Sequence, residues 1–268
     1  MNSDLAQWLD AILRWVHVFA GIMWVGTTYF FTWLDGRFTE LENSATEKGE
    51  PVWMVHSGGF YRVEKQKVPQ LMPQTLHWFR WEAAITWLSG FCLFVVVYYM
   101  GGLMISAEDS RISNNEAIGL SLGLLVVGWV IYDVVLGRIF KNEKLLPVVA
   151  FILIVALSSF LTRYFAGRAA YLQLGAMFGT IMVANVWMRI LPAQRRMVAA
   201  LKAGQTPNLE EAKRAKNASR HNTFMAVPIV FIMLSYHFPT AVTRGYNWKV
   251  LPLVVLVGWF AAKLIRRA

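Results

Sequence analysis

Five histidines occur in the 268 residues, and four of them, His17, His77, His221 and His237, lie in or beside long apolar segments. An imidazole in hydrocarbon is costly unless a protein group, water or a metal satisfies its nitrogens, so histidines placed this way point to chemistry. Neutral imidazole is a common axial ligand of haem iron. From His17, the residues Gly21, Trp24 and Thr28 follow at spacings of four, three and four, which on a helix puts them on one face. Gly21, one turn from His17, is expected to leave clearance for a flat macrocycle. His77 and Trp81 are also four apart. The competing reading is that each histidine bridges helices as a satisfied polar group. A zinc site is not indicated, because no H-x-x-x-H and no cysteine partner accompanies them.

A second group of polar residues falls near the ends of apolar segments: Arg80 and Glu82, Asp133, and Asn185 with Arg189 four residues later. One reading is mutual neutralisation, Asp133 or Glu82 with Arg189 or Arg80. The other is a pocket for a planar anion. Arginine supplies paired donors to carbonyl or enolate oxygens, and asparagine both donates and accepts along a heterocycle edge. His56, Tyr61 and Lys65, in a long polar segment, are expected to close over that pocket. On this reading Arg80, Arg189 and Asn185 carry the substrate chemistry.

These residues need an apolar scaffold. The chain is 56% hydrophobic and only 16% charged, well below the charge of a soluble domain, so it is read as an all-α integral membrane protein. Twelve Trp and nine Tyr suit two aromatic belts. The net charge of +10 is read as basic loops on one side of a bilayer, with no nucleic acid implied. The single Cys92 excludes an internal disulfide, and without Cys-x-x-Cys-His no haem is covalently held.

Nearly charge-free runs occur at 15–34, 83–107, 117–132, 145–162, 169–188, 222–243 and 250–262. They predict a seven-transmembrane-helix bundle forming a single membrane domain over 1–268. With the N-terminus outside and the C-terminus inside (N-out/C-in), a long cytoplasmic loop covers 35–79 and a basic cytoplasmic loop covers 190–221. Of the 26 Lys and Arg, only Arg14, Arg111, Arg163, Arg168, Arg244 and Lys249 then fall outside. Gly119 with Gly123, and Gly175 with Gly179, predict close helix contacts. In this threading His17 and His237 share an outer depth, and His77 and His221 share the inner face. One or two b-type haems (haem b) are expected. His17 and His237 would be the outer ligands, with Gly21 and Trp24 against the ring. His77 and His221 would hold an inner haem or, with one haem, face the substrate.

Six stretches carry a family resemblance. They are W-V-H-V-F-A-G-I-M-W-V-G-T-T-Y-F (15–30), H-S-G-G-F-Y (56–61), L-H-W-F-R-W-E-A (76–83), G-A-M-F-G-T-I-M-V-A-N-V-W (175–187), R-H-N-T-F (220–224) and S-Y-H-F-P-T (235–240). Together they resemble the membrane domain of the bacterial membrane-bound, cytochrome-c-type urate oxidase (urate hydroxylase) family, over residues about 10–260. The resemblance implies a multi-pass protein of the bacterial cytoplasmic membrane that oxidises urate, or a related purine, to 5-hydroxyisourate. Electrons would pass to the respiratory chain rather than directly to oxygen. Family members continue into an eighth helix and a cytochrome c domain that these 268 residues do not contain. Either a separate cytochrome c or a quinone is then the expected acceptor, or the chain is a shortened homologue with a different substrate. A homo-oligomer is also compatible with the sequence. Two other classes stay open: a non-catalytic haem-b electron-transfer or anchor subunit, and a cofactor-free transporter. Against the transporter, no internal repeat marks a midplane site.

Overall fold

A computed structural model describes residues 3–44, 50–66, 75–106, 110–134, 144–238 and 247–266. Its helices are α1 (Ser3–Ser44), α2 (Trp81–Leu93), α3 (Asn114–Ile131), α4 (Leu146–Tyr164), α5 (Gly167–Ala184), α6 (Leu191–Lys202), α7 (Leu209–Leu234) and α8 (Asn247–Ile265). Among the described residues, π-helical geometry occurs at Phe94–Tyr99 after α2, at 132–134 after α3 and at Asn185–Ile190 between α5 and α6. A single hairpin, β1 (Val52–His56) with β2 (Gly59–Val63), is the sheet. The protein is a helical membrane protein. Among the described residues, six helices are long and apolar enough to cross a bilayer. α7 does not meet that measure, because its first half carries Glu210, Glu211, Lys213, Arg214, Lys216 and Arg220. Residues 239–243 of the expected sixth span lie outside the described residues.

Two segments expected as loops are largely regular. α1 does not stop at the charges after residue 34. Its 42 residues run about 63 Å, roughly twice a bilayer's hydrocarbon thickness. The extension holds because Leu34, Phe38 and Leu41 continue an apolar stripe, which Val52, Met54 and Val63 of the hairpin cover. Asp35 pairs with Lys65, and Arg37 pairs with Glu40 one turn on. The hairpin closes through a two-residue turn, Ser57 and Gly58, with φ of 49° and 78°. Positive φ at both positions matches the right-handed strand twist, and glycine adopts it without strain. Within 190–221, α6 and the start of α7 are helical on either side of a short connection.

α5 is the central helix. Its buried residues include Tyr171, Gln173, Leu174 and Phe178. Gln173 and Ser121 of α3 exchange two hydrogen bonds, and Tyr99 adds a third. Tyr171 donates to the Asn247 carbonyl at the start of α8. Such bonds tie helices where hydrophobic exclusion gives no net attraction. The two glycine pairs behave differently. A Cβ at Gly175 would meet Ile232 at 3.0 Å, so Gly175 and Gly179 do face α7. Gly119 and Gly123 face open space, so the contact expected there is not made within the described residues. A glycine seam against a neighbouring helix's backbone lies elsewhere. A Cβ at Gly258 would lie 2.7 Å from Pro228 Cδ and 2.9 Å from its backbone nitrogen.

Because that nitrogen cannot move without α7, Gly258→Ala should destabilise the protein by about 1–3 kcal/mol. Gly119→Ala should not. Thermal melting in detergent checks this; equal midpoints for the two variants would refute the seam.

Candidate functional site

One end of the bundle gathers most of the polar residues singled out by the sequence. Asn222 on α7 donates through Nδ2 to the Met182 carbonyl at 3.0 Å. A carbonyl only accepts, so the other end of this amide, Oδ1, faces Asn185, whose Nδ2 donates to it at 2.9 Å. The same Nδ2 donates to the Tyr132 hydroxyl oxygen at 2.9 Å. The Tyr132 proton is then available to His221, whose Nδ1 lies 2.8 Å away. With Tyr132 as the donor in this contact, His221 Nδ1 is the acceptor and the imidazole keeps its own proton on Nε2. Asn185 is fully buried, and its Oδ1 has no hydrogen-bond partner among the described residues. It opens the π-helical turn Asn185–Ile190. Turns of that kind recur at functional sites, and a buried acceptor without a donor calls for a ligand, a water or an ion.

Arg189, four residues on, is committed to a carboxylate. Its Nε donates to Asp133 Oδ1 at 2.9 Å and its NH2 reaches the Asp133 carbonyl at 3.3 Å. The guanidinium also lies 5.4 Å from the Tyr132 ring centre. Neutralisation, one of the two readings above, is therefore what the geometry gives for Arg189. Arg80 differs. It precedes α2 and stacks over Trp81 at 5.4 Å, with no carboxylate partner among the described residues. Trp81 meets Trp187 edge to face at 5.7 Å, and the buried Trp187 Nε1 has no acceptor.

His77 is exposed at the same end, edge-on to Phe79 at 4.5 Å. Phe79 packs on Phe31 of α1, and Tyr29 of α1 donates to the Thr223 carbonyl of α7. His77 and His221 thus lie at one end but with different partners. His56, Tyr61 and Lys65 do not close over the cluster. They are exposed on the hairpin, which is docked along α1, and Lys65 bonds Asp35.

His17 sits apart, against α2. Its Nδ1 lies 2.8 Å from the Thr86 carbonyl and 3.3 Å from Ser89 Oγ. Gly21 also faces α2, where a Cβ would lie 3.8 Å from the Thr86 methyl. The clearance expected at Gly21 therefore borders α2 itself. Trp24 packs against the main core cluster. His237 is exposed in the 3-10 turn after α7 and does not share His17's depth. Trp87 of α2 donates to Thr180 of α5, and Gly179 faces Ile229 of α7, so His17 is level with the Pro228 region. His237 lies nine residues farther along, about 13 Å at the helical rise.

A family model described as "Urate oxidase N-terminal" matches residues 3–267. The chain belongs to that family. No curated relative and no solved structure matches it. The match covers both His17 and the Asn185 cluster.

Tyr132, Asn222, Trp187 and the α2 partners of His17 were not singled out from the sequence. Asn222 and Tyr132 could have been found, as polar neighbours of His221 and Asp133 at the edge of apolar runs. No signal marks Gly90 or Trp187, because their roles arise from contacts between helices. Among the described residues no group of three or more His, Cys, Asp or Glu could hold a bare metal ion. A haem iron needs fewer protein ligands.

Arg189→Leu should strand the buried Asp133 carboxylate and destabilise the protein by about 3–5 kcal/mol. Removing both charges, Arg189→Leu with Asp133→Leu, should recover most of that loss. Melting midpoints of the single and double variants decide the matter; an Arg189→Leu protein as stable as the parent would contradict the pairing.

Proposed function

We propose that the protein is a membrane-bound urate-oxidising enzyme that passes electrons through b-type haem to a cytochrome c or a quinone. Membership of the urate oxidase family supports the substrate class. The basic end of the bundle, read as cytoplasmic in a seven-span, N-out/C-in arrangement of a bacterial inner membrane, is the substrate end.

The observation that carries the site is the unpartnered, fully buried Asn185 acceptor beside the Tyr132–His221 pair. Urate is a planar anion whose edge alternates N–H and C=O. Asn185 Oδ1 accepts from one ring N–H. His221, held with its proton on Nε2, donates to a ring oxygen. Arg80, stacked on Trp81, supplies the positive charge that draws the anion to this end. Arg189 and Asp133 neutralise one another and hold Tyr132 in place instead of touching the substrate. The overall change is urate plus water to 5-hydroxyisourate, two protons and two electrons. Released protons have a route into the Tyr132–His221 pair.

Haem would supply one-electron acceptance and outward transfer. The donor set fits it at one place better than the other. At His17 the Nδ1 bond to a carbonyl leaves Nε2 as the lone-pair nitrogen, the usual state of a ligating imidazole. With Tyr132 as the donor, His221 keeps its proton on Nε2, which suits a proton donor more than an iron ligand. We therefore favour one haem at His17, with His221 facing substrate. His77 and His237 are left without an assigned role.

An anaerobic visible difference spectrum, before and after urate, tests the reading. Reduced b-type bands on urate addition are expected. Haem reduced by dithionite but not by urate would favour the non-catalytic electron-transfer subunit. No Soret band in haem-replete protein would favour the cofactor-free transporter. Asn185→Leu should raise KM for urate about tenfold, from a lost hydrogen bond of about 1–2 kcal/mol, with haem content unchanged.

A further inference from the structure

We infer that α2 contains a dedicated seat for the His17 imidazole, built from the Thr86 carbonyl, Ser89 and Gly90, which presents Nε2 to a haem iron. The inference rests on the haem reading of His17 above and assigns positioning residues to it.

The seat is defined on three sides. Thr86 has a carbonyl that can only accept, so the 2.8 Å contact requires a proton on His17 Nδ1. Ser89 spends its own hydroxyl proton on backbone carbonyls of the preceding turn, Ile85 at 2.6 Å and Thr86 at 3.2 Å. Its oxygen therefore meets His17 Nδ1 at 3.3 Å as a second acceptor. Both contacts favour the same tautomer. In the neutral ring that tautomer leaves the lone pair on Nε2, and Nε2 has no hydrogen-bond partner among the described residues.

The third side is Gly90. A Cβ there would lie 2.7 Å from His17 Cε1 and 3.0 Å from Nδ1. Real Cβ atoms do not approach so closely, so any side chain at position 90 must push the ring out of its place. Alanine is the better helix former in isolation, so glycine at this interior helical position is explained by the ring that fills the space. The seat also accounts for the buried Ser89. Orientation of a ligating imidazole by its far nitrogen commonly tunes both affinity and potential. Thr86, Ser89 and Gly90 would thus act through His17 without touching the iron.

The test uses the purified full chain with its own haem, read by pyridine haemochrome content, ferric electron paramagnetic resonance and midpoint potential. His17→Gly should lose haem, and added imidazole should restore it. Gly90→Ala should keep the fold but change the ferric signal and shift the potential. Ser89→Ala should do the same more weakly. A thermal-melting cycle guards against simple misfolding: Gly90→Ala should lower the midpoint when His17 is present and not in the His17→Gly background, where no ring stands in its way. If His17→Gly keeps its haem, the haem reading of His17 fails, and this inference with it. If His17→Gly loses haem while Gly90→Ala leaves the ferric signal and potential unchanged, the seat inference alone is overturned. Equal melting penalties in both backgrounds would also overturn it.

Discussion

A buried amide in hydrocarbon cannot turn to water, and the bond from Asn222 to the Met182 carbonyl is where this constraint acts most widely. It fixes which way Asn222 points, hence which atom Asn185 offers, hence where the Tyr132 proton goes. Three helices, α3, α5 and α7, are registered through these few bonds. Next to them Arg189 and Asp133 form an ion pair whose separation would be costly at this depth. The cluster is therefore a structural joint as well as a candidate site. Among the described residues, Asn185 Oδ1 is a buried acceptor that the joint leaves unpaired.

Two levels of the bundle hold their histidines in opposite ways. At His17 the backbone takes the Nδ1 proton and leaves a lone pair on the far nitrogen. At His221 a tyrosine hydroxyl meets Nδ1, and with that hydroxyl as the donor the far nitrogen carries the proton. Identical side chains are thus prepared for different chemistry by neighbours that have nothing in common in sequence. In the function proposed above, electrons are handled at one level and protons at the other, as an oxidation that releases both requires.

The hairpin is the one element standing outside the helical layer. It covers the apolar stripe on the extended end of α1, and this explains why a helix with Asp35, Arg37 and Glu40 does not stop where the charges begin. It also keeps His56, Tyr61 and Lys65 on α1's flank and away from the Asn185 cluster.

The sequence by itself determined the membrane class, most of the helices and the family, because hydrophobic runs and local motifs are written along the chain. It placed Asn185, Arg189, Asp133 and His221 at one end, since their distances from the ends of apolar runs set their depth. It ran out where distant segments meet. The continuation of α1 depends on a hairpin that arrives later in the chain. The depth of His237 depends on how α5 and α7 pack. The pairing of Arg189, the tautomers of His17 and His221, and the need for glycine at position 90 are set by contacts between residues 37 to 89 positions apart. No local pattern encodes such contacts. Only the packed bundle decides them, because a hydrogen bond's direction is fixed by whichever rigid backbone group happens to face it.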